Sequence, residues 1–282
     1  MDPLITKELV ELGSQTASKP VASFSELIAL KFFGKSIAKL KAEAEVEGDK
    51  VLSRWEEVEK PLWLQAEAVK MNRQYDNFGN TLKKASKYIT EENTISNEND
   101  LFWGLLEHSK EITNEDVQDL IAKIIAGEYN APETYSMSTL QILKSLGKKD
   151  LEKFTFFASF YLPEHGFFKD FFNMQESSLL VRTKLGINYA DFLELQNLGL
   201  IQSGEYTISV SVKKDAIFSL DYYGDRFLFK ATKDFDKWNF PECYALTKAG
   251  KEILQHLNIS KSSDFKEWLV EDLKTKGFEP QN

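Results

Sequence analysis

Asn188-Tyr189-Ala190-Asp191-Phe192-Leu193-Glu194-Leu195-Gln196-Asn197 is followed, after Leu198-Gly199, by the alternating run Tyr206-Thr207-Ile208-Ser209-Val210-Ser211-Val212. Asn188 reads as the cap of a helix and Gly199 as its stop. The period-two alternation beyond reads as a strand. The succession extends on both sides. Glu176 to Lys184 predicts a preceding helix that turns at Gly186. Ala216 to Tyr222 and Phe227 to Ala231 predict two further strands, joined through the hairpin signal Tyr223-Gly224-Asp225. Tyr244-Ala245-Leu246 leads into a helix over Thr247-Lys248-Ala249-Gly250-Lys251-Glu252-Ile253-Leu254, capped by Thr247. Two helices, strands and a closing helix over 176–258 are the order of a winged helix. Three strands in place of the usual two predict an enlarged sheet.

Working outward, residues 36–87 read as long helix, with Lys, Ala and Glu interleaved and Gly48 and Pro61 as interruptions. A helical hairpin or self-associating stalk fits that pattern. Residues 92–99 form a polar linker. Thr113 then reads as the cap of a helix whose Val117, Leu120, Ile121, Ile124 and Ile125 share one face. Asp116 completes a variant capping box, Ile112 and Val117 form a staple, and Gly127 reads as the stop. Ala131-Pro132 makes a turn, Ser136 caps a short helix, and Gly147 ends it. A helix is expected over 151–162. Residues 154–172 carry eight of the 21 phenylalanines and read as core. The fold expected is α+β, mainly α: a helical N-terminal region followed by a winged-helix-like C-terminal domain with a small antiparallel sheet. Its divisions are 1–91 (long helices, oligomerisation), 100–150 (compact helical unit), 151–260 (winged-helix-like) and 261–282 (C-terminal helix and tail).

The 282 residues carry a formal charge of −9, which argues against a general nucleic-acid binder. The first 150 residues hold 19 basic and 25 acidic side chains, so −6 of that charge lies there. One cysteine, Cys243, excludes an internal disulfide framework and fits a reducing cytoplasm. No signal peptide and no run long enough to span a bilayer is apparent. Residues 21–33 are an amphipathic helix candidate expected to pack on protein, with membrane-surface contact as the alternative. His108, His165 and His256 lack the spacing of a metal site, and Gly34-Lys35-Ser36 lacks the first glycine of a P-loop. No catalytic constellation stands out and no cofactor is expected. The helix at 189–197 carries Asp191 and Glu194 and no cation, the wrong charge for a reader of DNA. Lys213, Lys214 and Arg226 are the side chains placed to touch a phosphate backbone if one is bound.

The segment 101–140 carries Trp103, Gln118, Ala122, Ala126, Gly127, Glu128, Pro132, Ser136, Thr139 and Leu140 in a spacing that resembles the Abi-alpha abortive-infection proteins and a related bacterial family of unknown function. The chain departs from that pattern at Ile121, usually Trp, and Ser138, usually Arg. The resemblance covers roughly residues 36–160 and implies a bacterial protein of phage defence with no established enzymatic activity. Most of the motif reads as architecture: caps, a stop, a turn and a packing leucine. Gln118 is expected to satisfy the backbone of the 129–135 loop, and Glu128 to accept from amides at the helix start over 136–139.

The function expected is a cytoplasmic, non-enzymatic, homo-oligomeric interaction protein with a protein partner. The alternatives are a winged-helix DNA-associated regulator and an enzyme whose site assembles only in the fold.

Overall fold

The structure is a computed structural model describing residues 62–90, 98–172, 176–207, 209–239 and 242–281, together with Ile28. The helices expected over 36–61, the stretch 21–33 apart from Ile28, and residues 92–97 of the linker lie outside the described residues. The chain divides into two compact units, Met1–Lys144 and Ser145–Asn282.

In the first unit α1 (Leu62–Ala85) runs into a short 3-10 turn, Ser86–Tyr88, and is followed by α2 (Asp100–Ser109), α3 (Glu115–Asn130) and α4 (Met137–Ser145). The expected stripe on α3 is the centre of this unit: Val117, Leu120, Ile121, Ile124 and Ile125 are all buried, against Phe78 and Leu82 of α1 and Phe102, Leu105 and Leu106 of α2. Side chains of this size each contribute about 1.5–3 kcal/mol on full burial. Both ends of α3 differ from expectation. Its cap is Asn114, not Thr113: Asn114 is extended, and its side-chain oxygen accepts from Val117 N. The third helical position thereby falls to Val117 and the staple positions to Thr113 and Gln118, so the predicted box and staple do not form. Gly127 does not stop the helix, which continues to Asn130. Gly147 likewise lies beyond the end of α4 and stands at the cap position of the next helix.

The second unit opens with α5 (Lys148–Ala158), β1 (Tyr161–Leu162), β2 (Gly166–Phe168) and α6 (Lys169–Phe172). The helix expected to reach Leu162 thus ends four residues earlier, and its last residues form a strand. Next come α7 (Glu176–Leu185), α8 (Tyr189–Asn197), β3 (Ile201–Tyr206), β4 (Ser209–Val212), β5 (Ile217–Tyr222), β6 (Asp225–Ala231) and β7 (Phe235–Asn239). The chain closes with β8 (Cys243–Leu246), α9 (Lys248–Leu254), α10 (Ser263–Thr275) and β9 (Phe278–Gln281). Instead of one enlarged sheet, the strands form three small antiparallel ones, ordered β1-β2-β8-β3, β4-β7 and β5-β6-β9. The single strand expected over 206–212 belongs to two of them. The C-terminal tail is a strand, paired with β6. The fold is α+β.

Asn188 caps α8 and Gly199, at φ +80°, ends it in the left-handed conformation that a glycine adopts without strain. The Leu246–Gly250 stretch fastens α9 to that turn. Thr247 Oγ1 accepts from Gly250 N (3.0 Å) and donates to Gly199 O (2.6 Å). Thr247 N donates to Leu200 O, the atom that a side chain on Gly250 would strike. Seven of the eight phenylalanines of 154–172 are buried, Phe156 being the exposed one. Phe160, Phe171, Phe265 and Trp268 pack ring on ring, and the Phe171–Phe172 contact joins them to Phe157, Phe167, Phe172 and Phe192 in one aromatic core.

Candidate functional site

The two buried polar side chains of the motif, Glu128 and Gln118, are hydrogen-bonded to backbone of the first unit. Glu128, 1% exposed, turns its carboxylate into the loop that follows α3. Oε1 accepts from Asn99 Nδ2 (2.8 Å) and Glu133 N (2.7 Å), and Oε2 from Tyr135 N (3.2 Å). The amides it takes are those of 133–135, not those at the start of α4. Gln118, 3% exposed, points the other way from the expected loop. Its Nε2 donates to Ile112 O (2.6 Å) and approaches Asn77 Oδ1 (3.4 Å), while Asn77 Nδ2 donates to Lys110 O. A buried side-chain amide or carboxylate is retained where it satisfies backbone that no ladder reaches, and both residues do this. Gly127 has a packing reason too: a methyl group there would run into the Tyr135 ring, 2.9 Å from Cε2 and closer to the hydroxyl. Trp103 is half-buried with its ring edge-on to Phe102. Pro132 sits in the exposed turn, and Glu133 beside it takes φ +66°. Ser136 precedes α4, its hydroxyl 2.7 Å from that of Ser138 and 3.3 Å from that of buried Thr139.

In the second unit α8 presents two carboxylates, and one lysine pairs with both. Lys153 Nζ of α5 lies 2.7 Å from Asp191 Oδ1 and pairs with Glu194 as well. The two carboxylates, Asp191 foremost, push the Lys153 ammonium above its usual pKa. Exposed apolar side chains lie on the same helix, Tyr189 and Leu193 (42%), and on α7, Leu179 and Leu180 (80%).

The basic side chains Lys213, Lys214 and Arg226 do not converge. Lys213 and Lys214 lie in the turn before β5, whereas Arg226 pairs in register with Asp221 near the far end of the β5–β6 hairpin. Arg226 donates to Ser219 Oγ, and Lys214 N donates to Asp234 Oδ1. Lys213 instead borders an apolar cleft of about 570 Å³ between β4 and β5, with Val210, Val212, Phe218 and Trp238 in its walls and His165 at one side. Burial lowers the His165 pKa, which keeps the ring neutral at pH 7. None of the wall residues stood out in sequence, although the alternation over 206–212 marks one side of the cleft.

Chemistry of other kinds finds few handles. Among the described residues no three His, Cys, Asp or Glu side chains gather as a metal site, and no helix is long and apolar enough to cross a membrane. Cys243 is buried, and that burial pushes its thiol up to about 12. A thiol so far from ionising is a poor nucleophile.

Residues 65–270 match the family described as Protein of unknown function (DUF2806). That description carries no link to Abi-alpha proteins or phage defence. No curated protein and no solved structure matches the chain. Because the match spans well over half of the 282 residues, the chain belongs to the DUF2806 family.

Proposed function

We propose that the chain is a non-enzymatic interaction protein whose second unit is a winged helix turned to protein contact. Strand order supports the winged-helix reading. Helix α5 precedes β2, the pair α7–α8 lies between β2 and β3, and β8 returns between those two strands before α9. A helix, a first strand, two helices and a two-stranded wing follow one another in this way in winged helices. Here the wing is extended by β4–β7 and by the β5–β6 hairpin.

The observation that carries the protein-contact reading is the surface of α8. A helix in the major groove needs donors for base edges and cations for phosphates. This one offers Asp191 and Glu194, and its neighbouring cation Lys153 is already paired to them. Exposed Leu193 and Leu180 suit an apolar partner surface instead. Fluorescence polarisation with labelled duplex DNA at low salt tests this directly. No binding is expected; binding that Lys213→Glu/Lys214→Glu removes would favour a DNA-associated regulator.

Self-association and a place in bacterial phage defence belong to the same proposal. The Lys-, Ala- and Glu-rich sequence of 36–87 supports the first, and the resemblance over 101–140 supports the second. Light scattering at micromolar concentration is expected to return a multiple of 32.4 kDa, and a monomeric mass overturns the oligomer. Plaque counts on a host expressing the protein test the defence role.

A further inference from the structure

Which residues line the cleft between β4 and β5 reveals how the strands face it. A strand that turns a face to a cavity lines it with every second residue, because its side chains alternate. Here consecutive residues line it: 210–212 on β4, and 217–220 on β5 with Ala216 just before them. The cleft is therefore bounded by the edges of two strands. Strand β4 pairs with β7 and β5 with β6, and each ends its sheet, so each has one edge with no strand partner among the described residues.

Register identifies the backbone groups on the open edge of β5. Tyr222 and Asp225 close the two-residue turn Tyr223-Gly224, both with positive φ, and so form a hydrogen-bonded pair. Alternation then makes Leu220↔Phe227 and Phe218↔Phe229 hydrogen-bonded pairs. At the other end Ala231 N donates to Ala216 O, which agrees. The N–H and C=O groups of Ile217, Ser219 and Asp221 consequently point away from β6, towards the open side. An edge of this kind is a template for another strand. The walls on either side are apolar, Ile217 is 61% exposed, and Lys213, which forms no ion pair among the described residues, stands where β4 and β5 join.

We propose that this cleft binds an extended segment of a partner protein as an added strand, joining β4-β7 to β5-β6-β9. The segment alternates apolar side chains and carries an aspartate or glutamate over Lys213. Strand addition of this type draws affinity from main-chain hydrogen bonds and specificity from pockets for alternate side chains. The inference concerns a different surface from α8 and stands or falls apart from the use of that helix.

The test is selection of displayed random peptides of about seven residues, roughly 23 Å when extended, on the full chain. The enriched sequence is then synthesised, labelled and titrated by fluorescence polarisation. Alternating, acid-bearing peptides are expected. Binding should fall at least about tenfold in Ser219→Pro or Ile217→Pro, which remove outward N–H groups, and about threefold in Lys213→Glu, where an attraction becomes a repulsion. Circular dichroism checks that the variants fold. N-methylation of alternate peptide amides, which leaves the protein untouched, is expected to weaken binding in both phases, because one set of amides faces β5 and the other faces β4. Three results overturn the proposal. One is that no sequence is enriched; another is that the peptide is insensitive both to N-methylation and to the proline variants. The third is selection of neutral sequences like this chain's own 206–212, with peptide binding that competes with dimer formation, which would assign the cleft to a second copy.

Discussion

The loop after α3 and the turn after β4 are both short polar connections, and their backbones end in opposite states. In the first, the amides of Glu133 and Tyr135 are taken by one buried carboxylate, and Gly127 lets the Tyr135 ring close over the helix. In the second, the chain passes through Lys213, Lys214 and Asp215 into a strand whose outer edge pairs with nothing described. Asp215 takes φ +67°, its N–H donates to Ala231 O, and Ala231 N–H returns to Ala216 O, the pattern of a bulge that starts β5. The lesson concerns where sequence signals point. The most conspicuous motif of the chain, Gln118 through Leu140, spends its polar groups on its own backbone. The open hydrogen-bonding capacity lies along the outer edge of β5, at Ile217, Ser219 and Asp221, which belong to no motif.

The widest test of this contrast is Glu128→Ala. It leaves the Glu133 and Tyr135 amides, the second of them buried, and the Asn99 amide without their acceptor, so a loss of roughly 2–4 kcal/mol is expected in urea denaturation. Glu128→Gln keeps the shape but turns an NH₂ group towards these donors, and should cost a large part of the same. If either variant were as stable as the parent and lost only a binding activity, the motif would be a ligand site after all. Gly127→Ala comes next, at about 1–3 kcal/mol for forcing a methyl against an aromatic ring. Adding Tyr135→Phe removes the closest atom and is expected to restore part of that loss in the same thermal melt.

What was legible in the sequence was local. The apolar face of α3, the caps Asn188 and Thr247, and the Tyr223-Gly224 turn each rest on residues within a few positions of one another, and each stands in the structure. Choices between neighbours were less legible. Thr113 and Asn114 are both good caps, and only the backbone of the folded loop decides that Asn114 reaches Val117 N. Gly127 suggests a stop because glycine often is one, whereas its role depends on a tyrosine eight residues on. The strands β1, β2, β8 and β9 have between two and four residues, too few for alternation to register, and their partners lie far along the chain: Phe167 pairs with Tyr244 and Ala231 with Phe278. For the same reason the cleft was invisible: it depends on which sheet each strand joins.

A smaller effect tests how the open hairpin is held from behind. Asp225, beside the turn, accepts from Lys261 (2.6 Å) and Lys266 (2.7 Å), and these cations, Lys261 first, hold its carboxyl below the ordinary 3.8. A group whose folded pKa is depressed contributes stability above its unfolded pKa and loses it as pH falls through the folded value. The contribution is therefore present above pH 3.8 and disappears below it. Asp225→Asn should lower the melting temperature slightly at pH 7 and flatten its decline in acid. An unchanged acid profile would mean that the pair adds nothing.

The smallest effect is the most discriminating. Proline at a strand edge costs little when the N–H it removes faces away from the ladder, and much when that N–H is a rung. Ser219→Pro removes an outward N–H and should shift stability by less than about 1 kcal/mol. At Leu220, one residue on, the same substitution removes a bond to Phe227 and is expected to unfold the hairpin. Hydrogen exchange on the parent protein reads the same asymmetry without a mutation: the amides of Ile217 and Ser219 should exchange much faster than those of Phe218 and Leu220. Equal protection along β5 would mean that its outer edge is already occupied, and the wing would then be as closed as the loop around Glu128.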